Sequence, residues 1–495
     1  MLINRVLIIF QLSPINFQLV ISIMKNYLYL TIGLLLMTLA PALSQSEGDA
    51  TMIREIYDET LLRGEAYENL RSLCKDVGGR VSGSPEAAAA VEWGRQLMQQ
   101  YGFDSVFLQP VMVPHWVRGK KEVGRIVDAK KLGSQELNIT ALGNAVGTGS
   151  DGVLANVVEV HTFKELADLG EERVKGKIVF FNRPMDQTQI QTGAAYGLAG
   201  NQRRGGPSEA AKYGAVGVIV RSLSTAFDDY PHTGSTVYSF NVPKIPAVAI
   251  STNDADLLSK TLKEEPDLSF YLETHCQMLD DVLSYNVVGE IKGSTFPDEY
   301  IVVGGHLDSW DLAEGAHDDG AGVVHSIEVL RTLKAMDYQP KRTIRAVLFM
   351  NEENGLAGAK KYAELAEENG ENHLAAIESD AGGFAPRGFG LDVSDAAYEQ
   401  IQQWKPLFET YDLHKFNKGG SGADISALKP QGVELIGLRP DSQRYFDMHH
   451  SALDVFEIVN RRELLLGASA MTSLVYLIDQ HGLAEPSPAS AGTGE

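Results

Sequence analysis

Cysteine is scarce in this sequence of 495 residues, which contains only Cys74 and Cys276. Two cysteines so far apart exclude a disulfide-rich scaffold and a cysteine-based zinc module. We interpret them as unpaired structural thiols, and a single bridge between them is the alternative.

Positive charge is also in short supply, with 43 Lys and Arg against 65 Asp and Glu, for a formal net charge of −22. Phosphates and anionic lipid heads repel such a chain, so we expect neither nucleic acid nor a lipid surface as its main partner. The composition, 44% hydrophobic and 22% charged, is typical of a globular protein and excludes collagen-like, wholly disordered and polytopic membrane classes.

Two common catalytic motifs are missing. No strand is followed by the Gly-x-x-x-x-Gly-Lys-Ser/Thr phosphate loop, and no Gly-x-Ser-x-Gly nucleophile elbow occurs. The sequence therefore gives no support to nucleotide chemistry and little to serine hydrolysis.

The first 44 residues lack Asp and Glu. Lys25, the apolar residues 28–37 and the small residues at 42 and 44 have the form of a signal peptide, with Met24 as an alternative start. An uncleaved anchor is the alternative, but the apolar stretch is shorter than the ~20 residues that a membrane span needs. No cysteine follows for lipid attachment. We therefore predict removal of residues 1–44, export to the periplasm or medium, and no membrane span afterwards.

The remaining chain divides by texture. Residues 45–125 are predicted to begin the catalytic domain, and residues 126–285, with short β-rich runs between glycine-rich loops, form an insertion. Residues 286–482 form the main catalytic domain, and residues 483–495, rich in Pro, Ser, Ala and Gly, a disordered tail.

Apolar β-type runs alternate with helical patterns in the main domain. This order predicts an α/β fold with a mostly parallel sheet and helices on both faces, whose ligand sites lie at the carboxyl ends of the strands. The predicted strands are 300–304, 343–350, 375–378 and 432–438, and the predicted helices are 321–336, 356–369 and 461–480.

Polar residues follow each of these predicted strands. A lone His or Asp is usually structural, but their convergence at one sheet edge is expected of a metal centre. The residues are His306, Asp308, Asp318, Glu352, Glu353, Asp380, His449 and His450. Imidazoles and carboxylates without thiolates suit Zn²⁺, and a pair of zinc ions needs a bridging carboxylate and a free acid to handle the proton of a water. Adjacent acids such as Glu352 and Glu353 point in different directions, so one can bind metal while the other faces the water.

The order of these residues resembles the co-catalytic dizinc exopeptidase family, which includes secreted bacterial aminopeptidases and glutamate carboxypeptidases. The resemblance extends over residues 55–480. Further matching motifs are 80–84, 113–119, 231–234, 242–246 and 305–311.

The resemblance implies two Zn²⁺ ions and assigns their ligands. Asp318 would bridge the ions, Glu353 and His450 would complete one site, and His306 and Asp380 would complete the other. His450 is chosen over its neighbour because the family's ligand lies four residues before an acid, here Asp454.

The same resemblance assigns supporting roles. Glu352 would be the general base that takes a proton from a water bridging the zinc ions. Asp308 would accept a hydrogen bond from the ring of His306, and the peptide bond after Asp318 would be cis. His449 replaces a tyrosine that donates to the oxyanion in several relatives, and either does so itself or is a spectator. Asp424 is a candidate for positioning the substrate.

Eight further histidines lack partners at ligand spacing, so we predict structural or surface roles for them. They are His115, His161, His232, His317, His325, His373, His414 and His481.

The predicted function is that of an exported dizinc exopeptidase that hydrolyses short peptides as a dipeptidase, aminopeptidase or carboxypeptidase. The insertion resembles a protease-associated domain, which would either cover the cleft or serve packing and dimerisation, and the resemblance implies a homodimer. The alternatives are another amide hydrolase or a glutaminyl cyclase on the same fold, and a non-catalytic, receptor-like binding protein. Retention of every ligand and of Glu352 favours the enzyme over the binding protein.

Overall fold

The computed structural model describes residues 47–484. The predicted signal peptide and residues 485–495 of the predicted tail lie outside this range. Within it, no helix is both long and apolar enough to cross a lipid bilayer.

The described chain contains sixteen strands, which form two sheets. The strands are β1 (Ser105–Val117), β2 (Val123–Ala129), β3 (Gly133–Leu137), β4 (Ile139–Ala141), β5 (Val153–Val160), β6 (Ile178–Phe181), β7 (Gly217–Arg221), β8 (Ala247–Ile250), β9 (Ser269–Glu273), β10 (Gln277–Ile291), β11 (Phe296–His306), β12 (Arg342–Phe349), β13 (Asn372–Glu378), β14 (Pro386–Asp392), β15 (Lys415–Lys418) and β16 (Glu434–Pro440).

Thirteen α-helices accompany them in the described residues. The helices are α1 (47–63), α2 (Ala66–Ser72), α3 (Pro85–Gln100), α4 (Phe163–Val174), α5 (Thr192–Ala199), α6 (Asn201–Arg204), α7 (Gly206–Ala211), α8 (Thr252–Glu264), α9 (Ala321–Ala335), α10 (Ala357–Asn369), α11 (Asp395–Glu409), α12 (Tyr445–Met448) and α13 (Arg461–His481).

The first sheet has the strand order β1-β10-β12-β11-β13-β16-β14-β15. Its four central strands, β12, β11, β13 and β16, run parallel, whereas the pairs β1–β10, β10–β12 and β16–β14 are antiparallel. The predicted α/β fold is confirmed; the parallel pairs are those of the four central strands and the edge pair β14–β15.

Helices cover both faces of this sheet. Tyr362 and Ala363 of α10 pack against Val302 and Val347 of the central strands. Helices α9 and α13 pack against each other and against β11. Because every residue of 301–306 is buried, the second half of β11 is internal, which explains why residues 301–305 are apolar without alternation.

The second sheet has the order β3-β2-β9-β5-β6-β7-β8-β4 and is built from residues 123–273. The predicted insertion, 126–285, differs at both ends: β2 begins at Val123, and β10, from Gln277, pairs with β1 in the first sheet. Composition alone cannot distinguish these boundaries because strands of both sheets are β-rich. We call residues 123–273 the inserted unit, and its identity as a protease-associated domain stays a prediction.

Both cysteines are free and buried, in agreement with the prediction. Cys74 packs in the core near α2, and Cys276 packs in a core of the inserted unit. Burial raises the pKa of Cys74 to about 12 and that of Cys276 to about 11. Thiols with such pKa values are poor nucleophiles.

Candidate metal centre

The register of the central strands brings the predicted site residues to one edge of the sheet. His306 is the last residue of β11 and pairs with Phe349, the last residue of β12. Gly304 of β11 pairs with Glu378, the last residue of β13. The loops that continue β12 and β13 carry the predicted carboxylates, so they start from the same edge.

Asp318 lies between two groups of donor atoms. Its Oδ1 is 3.2 Å from Nε2 of His306, and that nitrogen is 3.6 Å from Oδ1 of Asp380. Its Oδ2 is 3.1 Å from Nε2 of His450, which is also 3.1 Å from Oε2 of Glu353. One carboxylate therefore has an oxygen facing each half of the site.

These donors fit a pair of cations. Donor atoms of His306, Asp318 and Asp380 lie within 4.8 Å of one another, and those of Asp318, His449 and His450 do the same. The buried oxygen Oε1 of Glu353 has no hydrogen-bond partner, and Oδ2 of Asp318 has only the contacts with Nε2 of His450 at 3.1 Å and of His449 at 3.4 Å among the described residues. Buried polar atoms normally have a partner, and a bound cation would supply one to each.

The charges of the site are strongly coupled. Burial alone would raise the pKa of Asp318, but hydrogen bonds from His306 and His450 hold it well below its ordinary value. Burial disfavours the charged form of His306, yet hydrogen bonds to Asp318 and Asp380 raise its pKa well above the usual range. The site thus favours a carboxylate at Asp318 and positive charge beside it.

Glu352 lines the cavity beside this cluster and is partly buried. Burial, with the negative charges of Asp380 and Glu353, raises the pKa of Glu352 well above its ordinary value. Its main-chain N–H donates to Oδ1 of Asp308 over 3.0 Å, which fixes the start of the loop after β12.

Asp308 supports His306 in a different way from the one predicted. Nδ1 of His306 donates to the main-chain carbonyl of Asp308 over 3.0 Å, while the carboxylate Oδ1 is 3.9 Å from that nitrogen. The carboxylate instead accepts from the N–H groups of Asn351 and Glu352. The main-chain carbonyl of Asp308 thus has the role that the sequence assigned to its carboxylate.

Asp454, which served above only to choose His450 over His449, holds the main chain around Asp318. Its carboxylate accepts hydrogen bonds from the N–H groups of His317 and Asp318, over 2.7 and 3.0 Å. The Asp318–Asp319 peptide bond is cis, as the resemblance implied. Oδ2 of Asp319 accepts from the N–H of His306 over 3.1 Å. This hydrogen bond joins the segment that carries Asp318 to the end of β11.

His449 and Asp424, the candidates for an oxyanion donor and a substrate-positioning residue, are both buried. The ring of His449 stacks on His450 at 3.6 Å between centroids, and its Nε2 is 3.4 Å from Oδ2 of Asp318. Burial and the charge of His450 lower the pKa of His449 well below its usual value, so this ring is neutral. Burial and the nearby Glu378 raise the pKa of Asp424, whose carboxylate oxygens have no hydrogen-bond partner.

A cavity of about 800 Å³ opens over the cluster. Its lining residues from the catalytic domain are Asp318, Glu352, Glu353, Asp380, His449 and His450 among others. The inserted unit contributes Asn144, Tyr196 and Arg203 among others. The sequence did not reveal these three because they lie in segments with no motif spacing, two of them in a glycine-rich stretch.

Tyr196 and Arg203 form a pair at the roof of the cavity. Nη2 of Arg203 donates to the hydroxyl of Tyr196 over 2.5 Å, and the Tyr196 ring lies 5.0 Å from that of His449 between centroids. The inserted unit therefore touches the cluster directly.

The profile of peptidase family M28 matches residues 286–475. Carboxypeptidase Q of Bos taurus is 33% identical over 416 residues, which cover 84% of this chain and 85% of that protein. The crystal structure of a peptidase M28 precursor from Shewanella amazonensis SB2B superposes with a TM-score of 0.84 at 33% identity, over 90% of this chain and 100% of that chain.

This chain belongs to peptidase family M28. The resemblance predicted from the sequence is confirmed, including the particular likeness of its motifs to carboxypeptidase Q. The zinc aminopeptidase BSAP of Bacillus subtilis shares the fold, with a TM-score of 0.60 at 19% identity over 83% of this chain and 94% of that chain. As a member of family M28 the chain is a metallopeptidase.

Proposed function

We propose that the chain is an exported exopeptidase that uses two zinc ions to hydrolyse short peptides, dipeptides in particular. The observation that carries the proposal is the position of Asp318, whose two oxygens face His306 at 3.2 Å and His450 at 3.1 Å. Such a carboxylate suits a bridge between two ions.

The proposed ligands divide around this bridge. Asp318 and His306 would hold one ion with Asp380, and Asp318 would share the second with Glu353 and His450. When bound, the two ions supply Lewis acidity, which favours ionisation of a water and polarises the scissile carbonyl.

Glu352 is proposed to accept the proton of the attacking water and to return it to the departing amine. Its side chain lines the cavity beside the cluster, and the hydrogen bond to Asp308 fixes its main chain. A carboxyl whose pKa is raised above its ordinary value is better matched to proton transfer near neutral pH. His449, neutral and stacked on His450, can donate a hydrogen bond to the carbonyl oxygen as it gains charge.

The preference for short peptides follows from the cavity. Its volume of about 800 Å³ is bounded by Tyr196 and Arg203 of the inserted unit as well as by the metal-binding loops. This is within the ~300–1,000 Å³ range of small-molecule pockets, not that of an open groove for protein chains. We propose that the inserted unit, in the manner of a protease-associated domain, restricts entry.

The substitution Glu352→Gln tests the chemistry. We expect kcat to fall by about 10²–10⁴-fold, the usual contribution of a positioned general base, while two zinc ions remain bound. Hydrolysis of dipeptides gives the rate, and metal analysis of the same sample is the control. Wild-type turnover by a zinc-loaded variant would rule out this role.

Dipeptides blocked at one end test the direction of cleavage. Loss of hydrolysis on amino blocking would indicate a dipeptidase or aminopeptidase, and loss on carboxyl blocking alone a carboxypeptidase. No cleavage of any member of the panel by the zinc-loaded protein would contradict the exopeptidase.

Export is tested on the protein produced with its own amino terminus. We expect the exported form to begin at Gln45, as read by amino-terminal sequencing. A cell-associated form that retains residues 1–44 would contradict removal of a signal peptide.

A further inference from the structure

The loop that carries His450 is held from outside the metal-binding domain. Nδ1 of His232 donates to the main-chain carbonyl of His449 over 2.6 Å. The N–H of Thr233 donates to the main-chain carbonyl of His450 over 2.8 Å. His232 and Thr233 belong to the inserted unit, so the loop is fixed by a different sheet from the one that supplies His306.

His450 needs such support because of its backbone. Its φ is +62°, in the left-handed region that a residue with a side chain adopts only at a cost in free energy. Histidine is found in this region more often than most residues with a side chain, but the conformation is still uncommon, so contacts around it are needed to hold it. The hydrogen bond from Thr233 to the carbonyl of His450 acts at this point.

The same segment also contacts the imidazole. Nδ1 of His450 lies 3.3 Å from the main-chain carbonyl of Thr233, while Nε2 faces Asp318 and Glu353. With Nε2 bound to a metal, the neutral ring carries its proton on Nδ1. This N–H then donates a hydrogen bond to the main-chain carbonyl of Thr233. Thr233 thus binds both the main chain and the ring of His450.

Gly234 lets the segment approach this closely. A Cβ at this position would lie 2.7 Å from Nδ1 of His450 and 2.4 Å from a nitrogen of Arg203. Its φ of +127° is also one that residues with side chains rarely adopt. No larger residue fits between the inserted unit and the imidazole without moving one of them.

The segment is itself anchored. The N–H of His232 donates to the hydroxyl of Ser222 over 2.8 Å, and the hydroxyl of Thr233 donates to the carbonyl of Ala141 over 2.8 Å. Ser222 follows β7, and Ala141 is the last residue of β4. The second sheet is therefore the rigid support behind the contact.

We propose that His232, Thr233 and Gly234 are positioning residues for the metal ligand His450, so that the inserted unit sets the affinity of the zinc ion that His450 shares with Asp318. This inference rests on the zinc pair proposed above. It gives the inserted unit a part in building the metal centre, beyond covering the cavity.

A matched pair of substitutions at His232 tests the inference. Leucine removes the hydrogen-bond donor, whereas asparagine places an amide N–H near the position of Nδ1. Titration of the metal-free protein with Zn²⁺ against a fluorescent chelator gives both affinities. We expect His232→Leu to weaken one of the two zinc equivalents by about 10–100-fold, the usual effect of losing the group that orients a ligand, and to leave the other unchanged. His232→Asn should restore most of the lost affinity.

A second variant guards against misfolding of the first. Gly234→Ala should weaken the same single zinc equivalent, because its Cβ displaces the imidazole of His450. Excess Zn²⁺ should return kcat of His232→Leu toward that of the wild type, since the reacting groups are intact.

His373→Leu is the control. His373 is another buried histidine with a ring hydrogen bond, here 2.8 Å from Nε2 to the hydroxyl of Tyr362, in the core of the first sheet. It should lower the melting temperature and leave both zinc affinities unchanged.

The outcomes separate the two proposals. If the wild type binds two zinc ions and both His232→Leu and Gly234→Ala bind them with wild-type affinity, the positioning role is wrong and the dizinc peptidase stands. If the wild type binds no zinc, both proposals are wrong.

Discussion

Each oxygen of the Asp318 carboxylate faces a different histidine, so this side chain belongs to both halves of the site. Asp380 and Glu353, by contrast, each lie beside one histidine only, His306 and His450 respectively. If Asp318 bridges the two ions, replacing Asp318 by asparagine should affect zinc binding differently from replacing Asp380 by asparagine.

We expect Asp318→Asn to weaken the binding of both zinc ions and Asp380→Asn to weaken the binding of only one. In each variant the amide lacks the negative charge and one acceptor oxygen of the carboxylate. Zinc titration of the two variants checks this. Asp479→Asn is the control: Asp479, in α13, is also buried, but it accepts from the N–H groups of Lys341 and Arg342 at the start of β12. Equal effects of Asp318→Asn and Asp380→Asn would contradict the bridge.

At this scale the sequence predicted chemical type better than contact. It placed the proposed ligands at one sheet edge, where their atoms lie near one another in the structure, because strand ends of a parallel sheet share an edge. It assigned the wrong part of Asp308 to His306, and it missed the support that Asp454 and His232 provide. Those contacts depend on which main-chain group lies within 3 Å of which side chain, and residue spacing contains no such information.

Helix α9 begins beside the metal centre and carries a buried charge toward its other end. The carboxylate of Glu328 accepts from Arg331 over 2.7 Å and from the N–H of Glu65 over 3.1 Å, and Arg331 also contacts Glu59 of α1. Burial raises the pKa of Glu328 to about 7 despite these donors.

This raised pKa predicts a pH dependence of stability. The folded state binds the proton of Glu328 more tightly than the unfolded state, so the associated stability is fully present below about pH 4.5 and is lost as the pH rises through about 7. The loss is on the order of 3 kcal/mol. Glu328→Gln should remove this part of the slope, as measured by urea unfolding at pH 5 and pH 8. An unchanged difference between the two pH values would contradict the shift.

Helix α13 begins at a capping side chain. The side chain of Asn460 accepts from the N–H groups of Arg462 and Glu463 and so caps the long helix α13. We expect Asn460→Ala to lower the free energy of unfolding by about 1 kcal/mol, the usual value of such a cap. Urea unfolding measures it, and the exposed Arg461→Ala, which contributes no cap, is the control.

Elements of the main domain were predictable because long apolar runs and helical periodicity are strong signals. The predicted helix 356–369, for example, differs from α10 by one residue. The limits of the insertion were not predictable to the same degree. β10 continues the β-rich composition but belongs to the first sheet, and its hydrogen bonds with β1 and β12 show this.

At the scale of the whole molecule, two eight-stranded sheets contribute to one cavity. Groups that bind zinc only in the folded state make zinc a stabilising ligand. We expect chelation to lower the free energy of unfolding by about 3 kcal/mol where free zinc had been at ~100 times its Kd. Calorimetry with and without chelator checks this, and re-addition of Zn²⁺ should restore the transition. A melting temperature that is the same with and without zinc would contradict stabilisation of the fold by the metal.

The cluster around Asp318 draws on positions scattered widely along the polypeptide, from His306 to His450, with His232 behind them. A chain that stops just before β14 already contains His306, Asp318 and Asp380, but it lacks the last imidazole. A product truncated before residue 450 would therefore lack one of the proposed ligands, and we expect it to be unable to fill both halves of the centre.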